Sequence, residues 1–460
     1  MNKNRKIVII GCGAGGSTAA QFARKTDRKS KITIFEKDKY SQYSKCGLPY
    51  VISGNINQYN DLIEFSEEWY KKANIELYLN TEVNRIDFNT KIIYAKEDDT
   101  KIERPYDQLI IATGSKPVIP PIKNISKENK LIKGVFNLRT IDDAKKIEKY
   151  VKKDDKATII GAGLIGLEMA DSLYKKGMNV CVIESLPKIL PKTFDEDISK
   201  SISDKITKYI KVYTGYLATE IEIKNGGINK LHIKNNLDST NIVIDTNLLI
   251  LATGTKPVLP DLNQQDLKIG KAGGIIVNNK CETFIKDVYS VGDCTEYKDF
   301  ITKKPINIGL GSIVVRQAIT AGINSAGGKY ELLEGFLQTC TSEFFGMEIA
   351  TVGPTIENLH DFSTISAKYN GRSLPEYFPG GKPITLKITI NKKTREIISA
   401  QGIGDKAAQR INTIACAILN KMNIEIFRKL ETAYAPPIAP TLDVTTLVCD
   451  IILMKINRDQ

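Results

Sequence analysis

The sequence predicts an α/β protein made of two related units followed by a mixed α+β domain. Three observations predict it. A strand, a glycine turn, a helix, a second strand and an acidic residue follow one another from Lys6 to Glu36. The same order returns 150 residues later, with Gly161 standing where Gly11 stood and Glu184 closing the run. Each unit then carries an apolar strand ending in Ala-Thr-Gly, at Leu109–Gly114 and at Leu249–Gly254.

In the first unit, Lys6-Ile7-Val8-Ile9-Ile10 is a short, continuously apolar run of the kind buried on both faces of a parallel sheet. Gly11, Gly13, Ala14, Gly15 and Gly16 form the turn, and a helix is predicted from Ser17 to about Lys25. Ile32–Phe35 is the next strand, closed by Glu36. Glycines here make a tight turn and let the backbone approach a pyrophosphate, which the helix N-terminus attracts; the acid accepts hydrogen bonds from a ribose. In this strand–helix–strand context the motif predicts a Rossmann-like dinucleotide site, with Lys37 and Ser44 beside it. Short strands are expected near Ile75–Tyr78, Glu82–Asp87 and Lys91–Ala95. Ala112, Thr113 and Gly114 close the strand before the Pro120-Pro121 boundary.

The second signature runs through Gly161, Gly163, Leu164, Ile165 and Gly166, with a helix to about Lys176 and a strand from Asn179 to Ile183. Glu184 at its end favours a free ribose 2′-hydroxyl and repels a 2′-phosphate, so NADH is expected over NADPH. Lys188 is near enough to admit NADPH. Gly254 repeats the small-residue turn. The stretch Thr283–Cys294 reads as a strand ending in Gly292-Asp293, which places Asp293 to hold a ribityl or ribose hydroxyl. Gly311 and Ser312 open a helix to about Ala326, whose N-terminus suits an electron-rich flavin edge. Beyond Leu332 the character changes. Glu343–Gly346, Leu386–Ile390 and Ile397–Gly402 read as strands, and residues 405–420 and 442–456 as helices, in a domain that looks like an interface.

Between the first unit's strands lies Ser41-Gln42-Tyr43-Ser44-Lys45-Cys46-Gly47-Leu48-Pro49-Tyr50. Cys46 has no neighbouring cysteine, and the apolar Val51-Ile52 extend a short helix after it. A cysteine at a helix N-terminus meets unpaired N–H groups that favour thiolate, whereas an ordinary free cysteine is a buried filler.

Composition excludes several classes. The 460 residues exceed one core and suggest about three domains. With 42% hydrophobic and 26% charged residues the chain reads as globular. No long apolar run predicts a membrane helix, and the basic N-terminus lacks a signal-peptide core, so a cytoplasmic protein with no membrane partner is expected. The net charge of +12 is spread along the chain without a nucleic-acid motif, so no nucleic-acid partner is expected. The eight cysteines form no C-x-x-C, and His232 and His360 are the only histidines, so neither a metal site nor a disulfide framework is predicted.

With those residues placed, the chain resembles the pyridine nucleotide–disulfide oxidoreductase family along nearly its whole length. The resemblance implies FAD bound by residues 1–118 and 257–330, NADH (or NADPH) bound by 119–256, and a homodimer formed by 331–460. A Cys-x4-Cys pair is absent, since Val51 holds the second position. The lone Cys46 resembles the branch of coenzyme A–disulfide reductases, NADH oxidases, NADH peroxidases and archaeal sulfur or polysulfide reductases. Oxidase and peroxidase members carry a histidine in the first glycine loop, where this chain has Ala14. The resemblance thus implies electron flow from NAD(P)H through FAD to Cys46 and on to a small-molecule disulfide, coenzyme A disulfide or a persulfide or polysulfide. The alternatives are an oxidase or peroxidase, or a non-catalytic NADH-binding flavoprotein sensor. Tyr377 and Tyr434 resemble tyrosines that reach the cysteine from the partner subunit. Arg24, Lys25, Lys45 and Lys71, with Lys72, are the candidates for the acceptor's phosphates, and each is otherwise an ordinary surface cation. Lys45 and Gln42 depart from the asparagine and serine usual in coenzyme A–disulfide reductases.

Overall fold

The computed structural model describes residues 4–259 and 267–458. Lys6–Ile10 lies at the centre of a five-stranded parallel sheet, in the order Val288–Ser290, Gln108–Ile111, Lys6–Ile10, Lys31–Phe35, Ile75–Tyr78. Lys6–Ile10 and Lys31–Phe35 are buried on both faces after their first residue, which is why they read as nearly unbroken apolar runs. The helix Ala14–Thr26 crosses the helix Gly311–Ser325 closely; a Cβ on Gly322 would stand 2.4 Å from the Ala19 carbonyl oxygen. A second parallel sheet has the order Val135–Asn137, Leu248–Leu251, Lys156–Ile160, Asn179–Glu184, Lys211–Thr214. Each sheet has a three-stranded antiparallel companion, at 81–105 and 216–245.

The chain passes between the two units through the paired echoes. Ser115–Pro117 and Thr255–Pro257 run antiparallel. The Thr113 hydroxyl donates to the Val258 carbonyl at 2.5 Å, and the Thr253 hydroxyl donates to the Val118 carbonyl at 2.7 Å. The two Ala-Thr-Gly turns thus clasp each other with near two-fold symmetry.

The C-terminal domain is an antiparallel sheet, Cys340–Phe344, Met347–Val352, Ile397–Gly404, Pro383–Asn391, Thr364–Arg372, backed by the helices Ala407–Leu419 and Val444–Arg458. Glu343–Gly346 is not a strand of its own: Phe345 (φ +51°) and Gly346 (φ +67°) turn the chain between two strands. Thr364–Arg372 escaped the sequence because its alternation carries few large apolar residues. The stretch 283–294 narrows to a three-residue strand, Val288–Ser290.

This domain grips the second unit through Lys387, which is 7% exposed and reaches Asp195 at 2.9 Å and Asp197 at 2.6 Å. Asp195 Oδ1 also accepts from the Ile356 N–H. Replacing Lys387 with alanine leaves the buried Asp195 charge unpaired. The variant is expected to lose about 3–5 kcal/mol in a urea melt, far more than a surface pair would cost.

Candidate active site

Gly11 has φ +101°, and a Cβ there would stand 2.3 Å from the Ala112 carbonyl oxygen, so only glycine lets the strands of the first sheet end together. Around Gly13 a Cβ would meet nothing within 4 Å. That open cradle leads into a helix with no side-chain cap, so its first N–H groups remain available to an anion. Glu36 accepts from the Cys12 N–H at 2.6 Å and the Asp38 N–H at 2.9 Å, and burial holds its carboxyl above the usual range. Lys37 is exposed beside it, and the Ser44 N–H donates to Leu62. Beneath the loop Cys12 is enclosed with Ser17 and Tyr70, and burial pushes its thiol up to about 11; it is a filler.

Asp293 Oδ2 accepts from the Ser115 hydroxyl at 2.8 Å and from Arg139 Nη2 at 3.1 Å. The buried Arg139 Nε has no partner, so the guanidinium keeps a donor for another group. Gly292 is held by Gln317, and Gly311 and Ser312 lie exposed at an uncapped helix start. An open diphosphate cradle, an acid at the strand end, an orphaned guanidinium donor and a second free helix N-terminus fit FAD.

The second loop repeats the first. Gly163 has no atom within 4 Å of its Cβ position, and its helix, Leu164–Lys175, is likewise uncapped. Gly166 closes on the Gly161 carbonyl, and Ile165 is exposed at the opening. Buried Glu184 accepts from the N–H groups of Ala162 (2.8 Å) and Leu186 (2.9 Å). These residues fit the adenosine end of NAD(H).

Cys46 sits in the turn Lys45–Gly47 that leads into the helix Leu48–Ser53. Leu48, Val51 and Ile52 of that helix share one core with Leu167, Ala170 and Leu173 of the second glycine helix and Phe344 of the C-terminal sheet. The residue is therefore held where all three domains meet, and it is exposed. The expected thiolate is not delivered by the turn alone. The walls around Cys46 withdraw water, and Glu168 and Asp293 add negative charge, so the thiol is held above its ordinary value, with Arg139 opposing. Half-buried Glu168 accepts from the Ser342 hydroxyl at 2.6 Å, and burial raises its own pKa. A Glu168→Gln substitution removes the charge that most disfavours thiolate. The Cys46 alkylation profile of the reduced protein is then expected to move to lower pH, with several-fold faster reaction at neutrality in an iodoacetamide time course.

The remaining candidates lie in three settings. Half-buried Lys45 has no hydrogen-bond or ion-pair partner among the described residues, and its Nζ is 5.8 Å from the Tyr43 ring centroid. Burial and the like charge of Arg139 lower its pKa, while Glu36, Asp38 and Asp293 oppose; it faces the cofactor cradle. Arg24 is engaged with the carbonyls of Asp27, Arg28, Ala73 and Asn74, whereas Lys25 lies over Phe22, Lys71 is exposed and Lys72 pairs with Glu68. Tyr377 and Tyr434, 71% and 46% exposed, meet hydroxyl to hydroxyl at 2.9 Å although 57 residues separate them. Arg139 and Glu168 were missed by sequence reasoning. A signal existed for Glu168, which with Asp171 interrupts the inward face of an apolar helix at i, i+3 spacing. Arg139 stands just before the Thr140–Asp143 capping box, which marks a helix start but not a ligand.

Among the described residues no cluster of His, Cys, Asp and Glu is arranged for a metal, and no helix is long and apolar enough to cross a membrane. Residues 5–321 match the model of the pyridine nucleotide-disulphide oxidoreductase family, and residues 339–445 that of its dimerisation domain. An NADH oxidase of Methanocaldococcus jannaschii is 34% identical over 461 residues, spanning 98% of this chain and 100% of that protein. A CoA-dependent NAD(P)H sulfur oxidoreductase of Pyrococcus abyssi is 30% identical over 455 residues, spanning 97% and 98%. The solved NAD-dependent persulfide reductase from A. fulgidus superposes with a TM-score of 0.92 at 29% identity, covering 99% of this chain and 84% of that one. Two glycine cradles, a lone thiol between them and these likenesses agree: the chain belongs to the pyridine nucleotide–disulphide oxidoreductase family, as an FAD-dependent NAD(P)H oxidoreductase with a C-terminal dimerisation domain.

Proposed function

We propose that this enzyme reduces a small-molecule disulfide, coenzyme A disulfide or a persulfide or polysulfide, with NADH, as a cytoplasmic homodimer. The observation that carries the reading is the exposed Cys46, whose helix packs against the second glycine helix with no second cysteine beside it. FAD, when bound, supplies two-electron transfer between nicotinamide and sulfur. The Cys46 thiolate attacks one sulfur of R–S–S–R, forming Cys46–S–S–R and expelling RS⁻. Two electrons then break the mixed disulfide, restoring the thiolate and releasing a second RS⁻. The sum is NADH + H⁺ + RSSR → NAD⁺ + 2 RSH. Arg139 supports the thiolate, while Glu168 opposes it. Lys25 and Lys71, with Arg24 shaping the wall, are the basic residues for an acceptor carrying phosphates, whereas Lys45 faces the cofactor cradle. The partner subunit's Tyr377 and the partner subunit's Tyr434 supply the proton to the departing thiolate.

The M. jannaschii relative's name favours a second reading, oxygen as acceptor. Against it, position 14 is alanine, and both histidines are engaged elsewhere: His232 with Glu222, His360 with Lys304 and Asp361. Anaerobic NADH consumption separates the two. Turnover that starts on adding coenzyme A disulfide or polysulfide supports the reductase; turnover only on admitting air replaces it with the oxidase.

A further inference from the structure

The segment after Glu184 folds back on the second glycine loop. Glu184 accepts from the Ala162 N–H, and the Leu190 N–H donates to the Ala162 carbonyl at 2.8 Å. Residues 184–190 thus form a closed loop around Ala162, and the one cation within it is Lys188. Its side chain is only 12% exposed, yet it does not turn toward the ribose acid. It is ion-paired to Glu357, a residue of the C-terminal domain 169 positions away. Glu357 is itself fixed in place, because its neighbour Ile356 donates its N–H to Asp195 at 2.8 Å, and Asp195 is bound to Lys387.

We propose that Glu357 is a coenzyme-specificity residue that acts through Lys188. A nicotinamide dinucleotide bearing a 2′-phosphate brings extra negative charge to the strand end where Glu184 stands. Its tolerance depends on a nearby cation to neutralise that charge. In this chain the loop's cation is held by a carboxylate from another domain, so a 2′-phosphate faces Glu184 unassisted. The dimerisation domain therefore contributes to the choice of NADH. The inference rests on the NADH reading above and goes beyond it, because it assigns the preference to a residue outside the nucleotide-binding domain.

The test uses the FAD-loaded full-length protein and measures NADH and NADPH binding by fluorescence, alongside KM and kcat for each. Glu357→Gln is expected to tighten NADPH about tenfold, the worth of one charge-assisted contact, while NADH stays within about twofold. The gain should appear in KM and Kd, not in kcat. Glu357→Asp should behave as the parent, and Glu357→Gln with Lys188→Met should return NADPH to the parent value. An unchanged NADPH affinity in Glu357→Gln overturns the proposal, as does equal weakening of both coenzymes, which signals a loosened domain contact. A parent protein that prefers NADPH also overturns it. A parent that binds NADH but reduces no disulfide leaves the binding comparison intact and counts against the reductase reading alone.

Discussion

Cys46→Ser is expected to abolish disulfide turnover, lowering kcat by at least about 10³-fold, while the purified protein stays yellow and its flavin is still bleached by NADH without air. The half that survives is as informative as the half that is lost. The nucleotide cradles are built by Gly11, Gly13, Gly161 and Gly163 with Glu36 and Glu184, none of which touches the sulfur in forming its turn. The exchange of sulfur for oxygen at a surface position should change stability by less than about 0.5 kcal/mol, so a fold defect does not explain the loss. The other thiols are placed differently: Cys294 and Cys340 are covered, and exposed Cys416 lies on the helix Ala407–Leu419 of the C-terminal domain. Cys12 is enclosed with Tyr70, and burial raises the thiols of Cys181, Cys281 and Cys449. Stopped-flow measurement of flavin reduction, paired with steady-state assays, checks both halves. A serine variant that keeps full turnover with its preferred acceptor would exclude the thiol mechanism.

Cradles were legible in the sequence because their requirements are local. A positive φ at Gly11 and a bare backbone at Gly13 are needs of single residues, and an acid ends the following strand in both units. The neighbourhood of Cys46 was less legible because distant segments make it. Arg139 meets Asp293 across 154 positions, and Glu168 meets Ser342 across 174. Local reasoning from a helix N-terminus favours thiolate, but the helix after Cys46 has six residues, the thiol is walled in, and the two strongest charges on it, Glu168 and Arg139, come from the second unit. Burial first, and tertiary charge after it, therefore outweigh a short dipole. The same holds for Lys45: its sequence neighbour is the thiol, but its charged surroundings belong to the cofactor cradle. Phe345 is a smaller case of one pattern, an aromatic that reads as strand until Gly346 beside it forces the turn.

Tyr377→Phe and Tyr434→Phe should each lower kcat for an alkyl disulfide by about 10²-fold, and the double variant should lose little more. Their hydroxyls are 2.9 Å apart, so one donates to the other and only one is left to donate outward. Two residues that share one proton path act as a unit, and removing either breaks it. Hydrogen bonding to Tyr434 also raises the Tyr377 pKa. A structural role predicts a different outcome, because lost packing harms every acceptor alike. Leaving-group acidity tells them apart. An alkyl thiolate departs as a strong base and gains from a proton, whereas an aromatic thiolate of low pKa departs readily without one. The phenylalanine variants should therefore turn over an aromatic disulfide at close to the parent rate while failing with coenzyme A disulfide. Equal losses with both acceptors would reduce the pair to a packing contact. Selective rescue would place the exposed hydroxyl pair of one subunit at the sulfur of its partner and make the dimer the unit of catalysis.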